Sequence, residues 1–259
     1  MLRVAARLKA ALPLQVRTSL LAAHALPAEF DNDREGYLRM ITDELLPAVA
    51  SEGLAQYIDA FCEANYFTVA EMERLLEAGA RHGLPGKVHV NQFTSLGGVA
   101  AAVRHGARSV DHLEVMTDAD LDVLSGADTI PTLLPSCSFF LRIPYAPARA
   151  LIDRGCAVAL ASDHNPGSTP SGNMNFVVSL ACIQLRMLPE EAINAATLNA
   201  AAAMDLGAEL GSLSVGKRAS FILTRPVPSP AFLPYAFGSD HIDSVIIDGT
   251  IVRAGNATA

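Results

Sequence analysis

The chain switches repeatedly between two hydrophobic periods. Short, largely apolar runs at residues 14–23, 57–62, 87–90, 109–111, 129–134 and 156–161 read as strands. Between them, apolar residues recur at helical spacing over 35–50, 69–82, 96–105, 118–124 and 146–154. Three further helices are expected at 176–186, 189–195 and 199–206. Six strand–helix units in succession predict a parallel sheet in an α/β fold. Length and rhythm favour a (β/α) barrel over a doubly wound sheet, although six strands fall short of the eight a closed barrel needs.

From Gly211 the pattern changes. A turn at 213–217 enters an apolar strand at 220–223, and Pro226, Pro228, Pro230 and Pro234 then fill a loop. Runs at 245–247 and 250–252 flank Asp248-Gly249, a strong hairpin signal. The expected organisation is a partial barrel over 1–210 and a small β module over 211–259. Near the start, Arg3, Arg7 and Lys9 lie opposite Leu2, Ala5, Ala6 and Leu12, the pattern of an amphipathic helix. Gln15 and Arg17 interrupt the apolar core that a signal peptide needs.

Composition narrows the class. The 259 residues are 51% hydrophobic and 18% charged, enough for a sizeable core. A net charge of −8 with no basic stripe argues against nucleic acid as a partner. Four scattered cysteines, with no CxxC, read as reduced thiols of a cytoplasmic protein. No apolar run approaches the roughly 20 residues of a membrane span.

The candidate chemistry lies where strands end. The first strand runs into His24, the third carries His89 near its end, the fourth ends at His112 and the last at Asp163. One histidine at a strand end is more often structural. Several at equivalent ends of parallel strands converge on one mouth if the sheet closes. Imidazole and carboxylate together suit Zn²⁺ or Fe²⁺. Asp163 opens the loop Asp163-His164-Asn165-Pro166-Gly167-Ser168, whose amide, hydroxyl and backbone donors suit an anionic group. Cys62 and Glu63, after the second strand, read equally well as mouth residues or as a strand cap.

These segments resemble a known family. The stretches 20–27, Val88-His89-Val90-Asn91-Gln92-Phe93, Val110-Asp111-His112 and 163–168 are similar to imidazolonepropionases, of the metal-dependent amidohydrolase superfamily. The closing Gly211-Ser212-Leu213-Ser214-Val215-Gly216-Lys217 is similar to amidohydrolases in general. The resemblance runs from about residue 2 to 252. It implies a TIM (β/α)8 barrel, here six of eight units, with part of a small β-sandwich. It implies hydrolysis of 4-imidazolone-5-propanoate to N-formimidoyl-L-glutamate in histidine degradation, and a homodimer as the common assembly. His89 and Asp163 would hold one divalent metal, Zn or Fe. His24, Gln92, Asn165, Gly167 and Ser168 would contact substrate, and His112 would polarise the carbonyl or move a proton, working with Asp163 and Gln92.

Two departures qualify that reading. Gln92 stands where many relatives carry an acid; an amide orients substrate but cannot take a proton. Such enzymes also carry a His-x-His pair on the first barrel strand, and none of the seven histidines here is two residues from another. Met1 matches an internal position of the family, so the chain is expected to be its carboxyl-terminal part, with weak or no turnover of its own. The competing readings are an amidohydrolase or deaminase of another cyclic amide or amidine, and an inactive segment that serves as a partner. A nucleotide-binding sheet is disfavoured, because no Gly-x-Gly-x-x-Gly follows the first strand.

Overall fold

A computed structural model describes residues 1–254. Six parallel strands follow chain order: β1 (Ser19–Ala23), β2 (Tyr57–Cys62), β3 (Lys87–Val90), β4 (Ser109–His112), β5 (Ile130–Leu133) and β6 (Ala159–Leu160). A separate antiparallel sheet joins β7 (Phe221–Thr224), β8 (Ile242–Ile247) and β9 (Thr250–Arg253). The chain divides into two compact units, Met1–Thr132 with Ala150–Cys156, and Leu133–Arg149 with Ala157–Ala259.

In the first unit the strand faces do different jobs. Register pairs Phe61 with His89 and His89 with Asp111; one step on, Cys62 pairs with Val90 and Val90 with His112. Side chains alternate along a strand, so Asp59, Phe61, Lys87, His89, Ser109 and Asp111 share one face. That face is polar: the Lys87 ammonium donates to Ser109 Oγ (2.7 Å), which donates to Asp111 Oδ1 (2.7 Å). The opposite face carries Ile58, Val88, Val90 and Val110, all buried. Helices cover it closely. A Cβ on Gly79, in the helix Val69–Arg81, would lie 2.5 Å from Ile58 Cγ2. One on Gly98, opening the helix Gly98–Arg104, would lie 2.9 Å from Val90 Cγ1.

Local chemistry explains the helix boundaries. Thr68 with Glu71, and Thr117 with Asp120, form capping boxes that satisfy otherwise orphaned N–H groups. The helix expected at 35–50 runs as Arg34–Arg39, Met40–Leu45 and Leu46–Ser51, with the middle segment wound as a π-helix. Pro47 accounts for the irregularity, since it has no N–H to donate back along the helix. The amphipathic amino-terminal helix forms over Leu2–Ala11, with Arg3 bonded to Glu52 (2.6 and 2.9 Å).

Several expected bounds shift. The first strand covers only Ser19–Ala23, because β2's approach begins with the Gln56 N–H donating to the Thr18 carbonyl. In the strand expected over 156–161, Cys156 instead donates its N–H to the Leu151 carbonyl (3.0 Å) and closes a helix end, leaving Ala159–Leu160. Among the described residues, two α-helices lie outside the expected helical segments, Pro135–Leu141 and Phe232–Tyr235 inside the proline-rich loop, as does the 3-10 helix Ala28–Phe30. The hairpin forms as expected. Asp248 (φ 51°) and Gly249 (φ 79°) both adopt the left-handed region that a tight β8–β9 turn requires.

Candidate active site

In the first unit the histidines at the strand ends come together in steps of increasing depth. His24, just past β1, is exposed and stacks on Phe61, ring centroids 5.2 Å apart. It meets His89 edge-on at 6.5 Å. His89, half-buried, lies 5.5 Å from the buried His112 ring.

Strand alternation alone would not bring His112 there. It is in register with Val90, whose side chain faces away from His89. A φ of 88° at His112 breaks the alternation, followed by 68° at Leu113. Positive φ is strained for residues other than glycine and gathers at functional sites. Asn91 (φ 56°), beside Gln92, and Asp163 (φ 52°) share the feature. Three strand-end positions expected to carry or flank the chemistry are thus held in unfavourable backbone.

His89 is buttressed. Its Nδ1 lies 3.0 Å from Asp59 Oδ1; the tautomer that donates an N–H there leaves the lone pair on Nε2. Metal-binding histidines show that arrangement, in which a carboxylate fixes the tautomer and raises the basicity of the ligating nitrogen. Burial pushes the Asp59 carboxyl above the usual range, while the facing His89 pulls it back. His112 Nδ1 is buried 3.5 Å from Glu114 Oε2, too long for a well-formed hydrogen bond. Gln92 is buried near the start of the loop that follows β3. Burial, with Glu63 nearby, pushes the Cys62 thiol up to about 12, which disfavours the thiolate.

In the second unit the loop after β6 is knotted by its own side chains. Asn165 Oδ1 accepts the N–H groups of Gly167 (2.8 Å) and Ser168 (2.7 Å). Its Nδ2 lies 2.7 Å from Ser168 Oγ and 3.2 Å from Asp163 Oδ1. The Ser168 hydroxyl donates to Asp163 Oδ2 (2.9 Å). The Asp163 carboxylate is therefore oriented by hydrogen bonds at both oxygens, as a ligating carboxylate usually is. The donors expected to meet a substrate anion are turned onto the loop's own acceptors. His89 and Asp163 each have the surroundings of a ligand for a divalent metal.

The comparisons with known proteins settle the family. Residues 49–252 match the Amidohydrolase family. The chain belongs to the amidohydrolase family. Among its amidohydrolase relatives, a protein from Christiangramia forsetii named imidazolonepropionase is 56% identical over 97% of this chain and 61% of its own length. One of the same name from Flavobacterium johnsoniae is 51% identical over the same shares. The chain thus spans about three-fifths of the curated relatives it matches. A solved adenosine deaminase from Xanthomonas campestris with bound zinc superposes with a TM-score of 0.76 at 17% identity, covering 98% of this chain and 64% of that one. That likeness carries the fold alone. It agrees with the (β/α) barrel expected from the strand–helix rhythm and with the amidohydrolase type that the resemblance implies.

Sequence reasoning missed Asp59, Glu114 and the part played by Glu63. Asp59 carried a signal: a lone carboxylate inside the run Tyr57-Ile58-Asp59-Ala60-Phe61-Cys62, which a wholly structural strand would not bury.

Proposed function

We propose that this chain carries residues of imidazolonepropionase chemistry, the metal-assisted hydrolytic opening of 4-imidazolone-5-propanoate to N-formimidoyl-L-glutamate, with its own turnover reduced by the missing His-x-His pair. The observation that carries the reading is the His24–His89–His112 series with Asp59 behind His89. Identity of 56% and 51% to proteins named imidazolonepropionase supports the substrate.

By the family resemblance, His89 and Asp163 would each be a ligand for a divalent ion, Zn²⁺ or Fe²⁺. When bound, such an ion lowers the pKa of a water towards about 7 and polarises a carbonyl. Asp163 accepts the proton of the attacking water. His112 hydrogen-bonds the carbonyl oxygen or protonates the leaving nitrogen, a role matched to imidazole's ordinary pKa of about 6.5. His24, with Phe61 behind it, offers a flat ring and a polar edge to the substrate ring. Gln92 orients that ring by hydrogen bonds and moves no proton. Asn165, Gly167 and Ser168 meet the propanoate, exchanging bonds within the loop for bonds to the anion. The reading places the chain in histidine degradation in the cytoplasm.

The test is incubation of the zinc- or iron-loaded chain with imidazolone propanoate, with N-formimidoyl-L-glutamate quantified. Metal-dependent formation of that product supports the proposal. Hydrolysis of a neutral purine-like amidine in its place would move the assignment to the deaminase reading.

A further inference from the structure

We propose that Glu63 is a positioning residue for Gln92, clamping the backbone that follows β3 so that the amide meets the substrate ring. This rests on the proposed function for the identity of the ligand.

Glu63 follows β2 directly and is 2% exposed. A carboxylate so buried is costly unless its oxygens are bonded. Here they are. Oε2 accepts the Phe93 N–H (2.8 Å), and Oε1 accepts the Ala64 N–H (2.9 Å) and the Thr94 hydroxyl. Two of the three donors belong to the loop after the next strand, so the carboxylate ties the end of β2 to residues 93–94.

The other side of that loop is staked independently. The Asn91 amide donates to the Val115 carbonyl (2.9 Å) and to Asp120 Oδ2 (3.2 Å). The Val115 N–H returns a bond to the Asn91 carbonyl (2.8 Å), and the Ser95 hydroxyl donates to Asp120 Oδ2 (2.9 Å). Gln92 therefore sits between two fixed neighbours, Asn91 held through Asp120 and Phe93 held through Glu63. Asn91 adopts φ 56° in the left-handed region, which asparagine tolerates better than most residues. Asp120 also caps its own helix through Thr117, so its bonds serve two purposes. Among the described residues the Glu63 carboxylate caps no helix, and its long-range bonds go to Phe93 and Thr94 beside Gln92.

Glu63→Gln tests this, because it keeps the shape but replaces one acceptor with a donor facing donors. Two readouts are needed on the zinc-loaded chain: amide hydrogen exchange by residue, and affinity for imidazole-4-propanoate, an unreactive ring acid. The expected result is about tenfold faster exchange at Phe93, with Val88 and Val90 in β3 unchanged, and about tenfold weaker ligand binding, the scale of one charge-assisted hydrogen bond. In a Gln92→Ala background the same substitution should weaken binding less than about twofold, since coupled residues are non-additive. Unchanged exchange at Phe93 would overturn the clamp. A full tenfold loss recurring without the Gln92 amide would overturn action through Gln92. If Glu63→Gln fails to fold, Thr94→Val removes one bond to the same carboxylate and must reproduce the pattern at smaller size. A wild-type chain that binds no ring acid defeats the substrate reading, and the exchange measurement then decides the clamp by itself.

Discussion

The strand-end histidines of the first unit and the Asp163 loop of the second are ordered by different physics. His89 is fixed from outside by sheet register and the buttressing Asp59 carboxylate, and His112 by burial and a left-handed backbone that overrides its register. The Asp163 loop is fixed from inside, by hydrogen bonds among Asp163, Asn165, Gly167 and Ser168. A framework of the first kind keeps its geometry when one polar group is changed. A self-bonded loop of the second kind loses its shape and its chemistry together.

Asp163→Ala tests that distinction hardest. It removes both the proton acceptor and the hub of the loop, so turnover should fall about 10²–10⁴-fold, with loss of bound metal in elemental analysis. Loop amides from 165 to 169 should exchange faster as well. Asp59→Asn probes the framework. Metal affinity should drop about 10–100-fold, the usual cost of losing a buttress. Thermal stability should hold or rise, because burial already disfavours the charged form of Asp59. A collapse of the fold in that variant would break the comparison. Ser168→Ala removes the hydroxyl that bonds Asp163 Oδ2, and should weaken ring-acid binding by about tenfold.

The smallest effect concerns stability alone. Arg149 pairs with Glu191 through two bonds (2.9 and 3.0 Å) and holds its carboxyl below the usual range. A depressed carboxyl stabilises the fold above its unfolded value of about 4.3, and the gain is lost as pH falls through the folded value. Arg149→Ala should therefore cost about half a kcal/mol at neutral pH, after solvent screening, and nothing in strong acid. Denaturation midpoints of both proteins across pH 2–7 would show it.

Much of the frame was legible because its signals are local. Tyr57–Cys62, Lys87–Val90 and Asp118–Leu124 form over the residues their patterns predict. The Asp-Gly hairpin needs only two residues in the left-handed region. Strand ends were legible as places for chemistry, and the three histidines do meet there. What stayed hidden depends on pairings distant in sequence. Asp59 behind His89 is a contact across 30 positions, and Glu63 reaches the β3 loop over a similar span. The meeting of His112 with His89 was expected, but the means was hidden: register pairs His112 with Val90, and only its left-handed backbone turns it towards His89. The part Asn165 and Ser168 play in shaping the loop was hidden too, since side chains that read from sequence as donors awaiting an anion bond within the loop itself.

The most direct test of the account is calorimetric titration of the 259-residue chain with imidazole-4-propanoate, with and without Zn²⁺. Zinc-dependent binding that weakens at least about tenfold, some 1.4 kcal/mol, in His89→Ala is the predicted result. Binding of a neutral purine-like ring with no affinity for the ring acid, or affinity indifferent to both zinc and His89, would contradict it.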